Sequence, residues 1–139
     1  MLACAPVRVY SGVLAILALA TSVQAQVDPS AGWRTLHTLH FRIHFRAETR
    51  AVALREAAEA ERAYALLATE LHRPRGIVDI TLSDDADAAN GSATPFPSNR
   101  IVVYVAPPAS DHELQNYDSW LRVATTHELA HIFHLDRAR

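Results

Sequence analysis

The chain has 139 residues, half of them hydrophobic, with a formal net charge of −2, eight histidines and a single cysteine. Every one of the 13 basic residues is arginine, and charges of both signs are interspersed along the chain. That pattern lacks the basic patch a nucleic-acid or anionic membrane-surface partner needs, and it shows no internal repeat or low-complexity linker.

Residues 1–25 read as a signal peptide rather than as part of a fold. Arg8 supplies the positive start, Gly12–Ala20 the apolar stretch, and Val23-Gln24-Ala25 a small-x-small cleavage site. The apolar run is shorter than the roughly 20 residues needed to span a bilayer. The mature chain is expected to begin at Gln26 and to be exported to the periplasm or outside the cell. Cys4 leaves with the leader, so no disulfide is available to the mature protein. Residues 26–139 suffice for one small domain with its own core.

Asp28–Gly32 is a turn-rich entry. Leu39, Phe41, Ile43 and Phe45 then alternate with His40, Arg42, His44 and Arg46, the period-two signature of a half-buried strand with the histidines on its solvent face. Residues 50–72 predict a scaffold helix: Ala53, Ala57, Ala60, Tyr64, Leu67, Ala68 and Leu71 form one stripe, opposite Arg55, Glu59 and Arg62. His72–Gly76, with its proline and glycine, ends that helix. Ile77–Leu82 is the second strand. Asp84-Asp85-Ala86-Asp87 superficially suggests a calcium loop, but it lacks the glycine and distal glutamate of an EF-hand and reads as solvated loop. Asn90–Pro97 contains a glycine and two prolines that forbid regular interior pairing. Arg100–Ala106 is almost wholly apolar and is expected to be central or nearly so in a sheet, with Pro107-Pro108 closing it.

The last segment carries the chemistry. Asp118 or Ser119 is a suitable N-cap for a helix containing His127-Glu128-Leu129-Ala130-His131, an HExxH pattern in an apolar run. Two histidines four residues apart project from one face of a helix, and their imidazoles can converge on one Zn²⁺ at about 2.0–2.1 Å. Glu128 sits beside the ion without ligating it, placed to take a proton from a bound water. Trp120, Val123, Ala124, His127 and His131 share one side of this helix, and Leu121, Thr125, Leu129 and Ile132 the other, which predicts burial between layers. His112-Glu113-Leu114-Gln115-Asn116 starts the same way but has asparagine in place of the second histidine. The plain alternative for His127 and His131 is a pair of histidines hydrogen-bonded within a core.

The HExxH segment resembles the active-site helix of the zincin metallopeptidases, on the gluzincin, peptidase MA-like side. The metzincin pattern is absent, since His134 and Arg137 stand where it needs glycine and histidine. The wider series Asn90-Gly-Ser-Ala, Arg100-Ile-Val-Val-Tyr, Pro107-Pro108, Trp120-Leu121, His127–His131 and His134-Leu-Asp136 is similar to exported bacterial domains of this type, which commonly precede a TolB-like β-propeller. The resemblance implies an α+β, zincin-like fold with a small mixed sheet of three to four strands, the scaffold helix and the active-site helix. It implies a Zn²⁺ cofactor held by His127 and His131, Glu128 as general base, a peptide or protein substrate, and residues 91–94 or the strand after them as a substrate-binding edge. The family's third ligand, a glutamate on a later helix, has no counterpart before Arg139. His134 lies one turn too far, Asp136 needs the helix to unwind, and Glu113 needs its loop to fold back. The 139 residues are therefore expected to be an N-terminal fragment with little or no activity, exposing surface that later helices would cover. A non-catalytic exported binding or scaffold module of the same fold is the main alternative. Metal scavenging by scattered histidines is a weaker one.

Overall fold

A computed structural model describes residues 30, 32–85, 91–106 and 120–138. The expected signal peptide, the Asp118 or Ser119 cap, Pro107-Pro108, Glu113 and the His112–Asn116 segment lie outside the described residues. The protein is a mixed α+β structure: strands β1 (Trp33–His37), β2 (Phe41–Arg46), β3 (Val78–Ser83), β4 (Gly91–Thr94) and β5 (Arg100–Tyr104), with helices α1 (Arg50–Glu70) and α2 (Trp120–Leu135). The five strands form one sheet in the order β1-β2-β3-β5-β4. β2, β3 and β5 run parallel, and the flanking β1 and β4 are antiparallel to their neighbours.

The sheet thus has five strands rather than three or four. The extra one is β1, whose Trp-Arg-Thr-Leu-His sequence has only half-buried and exposed residues and so lacks a hydrophobic alternation to announce it. It is held by pairing with β2 from Trp33↔Arg46 to His37↔Arg42. The turn into β2 consumes Leu39, which is 77% exposed instead of facing inward. His40 is likewise not on a solvent face. It folds toward α1, where its Nδ1 lies 2.7 Å from Glu61 and its ring stacks on Tyr64 at 3.8 Å. His44 does sit on the sheet face away from the helices, beside Asp79 and Thr35, and Arg42 donates two hydrogen bonds to the same Asp79.

Phe41, Ile43, Val78, Ile80, Leu82, Ile101 and Val103 point from the sheet into a core closed by Ala53, Ala60 and Tyr64 of α1 and Leu129, Ile132 and Phe133 of α2. Fully burying each of the larger side chains stabilises the fold by about 1.5–3 kcal/mol. The exposed Arg122–Glu59 pair that also joins the helices is worth about 0–1 kcal/mol, so apolar burial sets how they pack. α1 stops at Glu70, and Gly76 takes a left-handed turn (φ 71°) before β3, as the glycine at that point predicts. β3, rather than β5, is the middle strand, with β5 one place from the edge. The acidic loop is engaged by an arginine: Arg46 pairs with Asp84 at 3.1 Å and with Asp85, while Asp87 lies outside the described residues.

Between the helices lies one group that the α1 stripe does not announce as polar. Glu56 is fully buried, and its Oε1 accepts a 2.6 Å hydrogen bond from Thr125 of α2. Its other oxygen, Oε2, is buried with no hydrogen-bond partner among the described residues. Burial pushes the Glu56 carboxyl up to about 7, opposed by the Thr125 hydrogen bond and assisted by the nearby Glu59 charge. A folded pKa above the unfolded one means that Glu56 favours folding fully below the ordinary glutamate range and loses that contribution as pH rises through about 7. Stability is therefore expected to fall by up to about 3 kcal/mol across this window, and Glu56→Gln should remove most of the slope. Urea unfolding at pH 5 and pH 8 measures it. Equal slopes in the two proteins would place the pH dependence elsewhere.

Candidate metal centre

Helix α2 buries one side only. Leu121, Ala124, Thr125, Leu129, Ile132 and Phe133 face the core, whereas His127 and His131 are exposed. The expectation of burial on both sides is corrected accordingly: no described layer covers the histidine side. The helix is seated by that apolar face and, at its start, by Trp120, whose Nε1 donates to Tyr104 O at 3.0 Å. This seat puts α2 against β4 and β5 as well as α1.

The i, i+4 spacing brings the two imidazoles together. His127 Nε2 and His131 Nε2 are 3.1 Å apart, with the rings nearly perpendicular at 83°. Two nitrogens bound to one tetrahedral ion at about 2.0–2.1 Å lie about 3.3–3.4 Å from each other. The pair therefore needs only a few tenths of an ångström of adjustment to become a bidentate donor for zinc, and its exposure leaves a route for entry. A core-buried histidine pair, the plain alternative, does not match this exposure.

Glu128 is one residue round the helix and in a different environment. It is only 8% exposed and lies against the edge strand. A Cβ placed on Gly91 of β4 would fall 2.8 Å from both Cγ and Oε1 of Glu128 and 3.1 Å from Cδ. The segment 91–94 is the edge strand, and the prolines at 95 and 97 follow it where interior pairing is no longer required.

The remaining polar residues near the end of α2 do not join this group. His134 is exposed at the last turn. Asp136 is buried at 2% exposure in the 3₁₀ turn that follows α2, where it accepts hydrogen bonds from the backbone N–H and the guanidinium of Arg75. Burial opposes its ionisation, but the Arg75 and Asn99 hydrogen bonds and the Arg75 charge hold its carboxyl below the ordinary aspartate value. Asp136 thus ties the end of α2 to the turn before β3 and is not available as a ligand. Among the described residues no three His, Cys, Asp or Glu side chains gather where they could hold one metal ion. The described donor set is two imidazoles.

The sequence alone does not bring Gly91 to Glu128 and gives no place to a buried Glu56. The signal for Glu56 was its place between Ala53 and Ala60 on the inner stripe of α1. For Gly91 there was no local signal, because its neighbour Glu128 is distant in sequence. No family pattern, no curated protein and no solved structure matches this chain.

Proposed function

We propose that this chain is a zincin-like, gluzincin-type metallopeptidase domain that hydrolyses peptide bonds in an exported setting. The observation that carries the reading is the convergence of His127 and His131 at 3.1 Å on the helix whose Glu128 is held against the edge strand. His127 and His131, whose ring nitrogens already converge, would hold a Zn²⁺ ion. When bound, such an ion would supply a Lewis acid and a water with its pKa brought near neutrality. Glu128 accepts the proton of the attacking water on its carboxylate and passes it to the departing amine. The edge position of β4 suits an extended peptide, whose backbone adds to a sheet edge and lies alongside the histidine pair. A downstream β-propeller in a longer chain belongs to the same proposal.

The second reading, an exported binding or scaffold module without catalysis, is favoured by one observation: the described residues supply two ligands and not three. The two separate in a peptide-hydrolysis assay with zinc supplied. The peptidase reading expects cleavage, slow from a two-imidazole donor set, that a chelator abolishes and added zinc restores. Stoichiometric zinc with no cleavage of a broad peptide library would favour the module, and neither zinc nor cleavage would remove the metal centre altogether.

A further inference from the structure

Resting on the peptidase reading, we infer that Gly91 is a positioning residue whose missing side chain forms the slot that holds the Glu128 carboxylate between strand β4 and helix α2. Among the described residues only Gly76 has a positive-φ glycine backbone, so the torsions at 91 are open to any residue. Glycine is a poor strand former; at this position space is what calls for it.

The space is taken by Glu128. A Cβ at 91 would sit 2.8 Å from Cγ and Oε1 and 3.1 Å from Cδ. Cγ lies near the root of the side chain, so a swing of the carboxylate tip alone does not relieve the contact. Neither wall yields readily. Gly91 is registered opposite Val103 of β5, whose side chain is fully buried. Helix α2 is seated by Leu129, Ile132 and Phe133, each 1% exposed or less. Any side chain at 91 therefore drives Glu128 into another rotamer. A general base works within about 2.6–3.2 Å of its proton, and a displacement of about 1 Å costs on the order of 100-fold in rate.

The test is a double-mutant cycle on the 139-residue chain, with Gly91→Ala and Glu128→Ala alone and together. Overpacking of this kind lowers the folded-to-unfolded ratio by about tenfold or more. That loss is expected for Gly91→Ala in the parent chain and should largely vanish once Glu128→Ala has cleared the slot. Additive effects in the two backgrounds would overturn the inference. If Gly91→Ala alone does not fold, folding of the double variant supports the slot and its failure to fold overturns it.

In hydrolysis, Gly91→Ala is expected to lower kcat about 100-fold and to leave KM and zinc stoichiometry nearly unchanged. An unchanged kcat in Gly91→Ala, where Glu128→Gln abolishes cleavage, would also overturn the inference. Failure of the peptidase reading shows separately, as cleavage that persists in Glu128→Gln, and the stability cycle is independent of it.

Discussion

His131→Ala is expected to lower zinc affinity by more than about 100-fold, since even outer-shell substitutions around a metal cost about 10–100-fold. The expectation follows from the 3.1 Å approach of His127 Nε2 and His131 Nε2. Each imidazole is half of the described donor set, and a single exposed imidazole holds zinc no better than free imidazole does. His134→Ala should leave affinity unchanged. His134 stands three residues beyond His131, about 4.5 Å further along a straight helix, at the exposed last turn of α2. Competition against a chromophoric chelator, with zinc counted per chain, measures all three proteins. Zinc kept in His131→Ala and lost in His134→Ala would move the site one turn toward the end of the helix.

Glu128→Gln is expected to reduce chelator-sensitive peptide hydrolysis by about 10²–10⁴-fold, the usual contribution of a positioned general base, with zinc stoichiometry intact. Glutamine has nearly the shape of glutamate, so it can occupy the same slot against Gly91 while being unable to take up a proton at neutral pH. The loss should therefore fall on kcat. Activity within about tenfold of the parent would assign the base to another residue. Loss of zinc along with activity would mean that Glu128 acts by shaping the site and not by moving a proton.

Much of this arrangement was legible locally. The α1 stripe, its stop near Gly76, and the strands at 41–46, 78–83 and 100–104 follow from period and punctuation alone, because each buries a continuous apolar face. β1 was not legible, for its side chains are half in water and its place is decided by pairing with β2. Leu39 and His40 belong to the turn before β2 and not to the strand, because a turn and not alternation governs them. His40 then finds Glu61 and Tyr64 on a helix more than 20 residues away. In the candidate site the histidine pair is a four-residue regularity of one helix and could be read directly. The role of Asp136 could not, because its partner Arg75 is 61 residues distant.

The sequence by itself determined the elements whose hydrophobic period is strong and the convergence of His127 with His131, since both depend on the geometry of a single segment. Only the tertiary structure decided that β4 lies at the edge beside α2, that no described layer covers the histidine side of the helix, that Asp136 is a tie and not a ligand, and that Gly91 leaves room for Glu128. Those features arise where segments far apart in the chain meet, and which surfaces meet is settled by burial of the whole core at once.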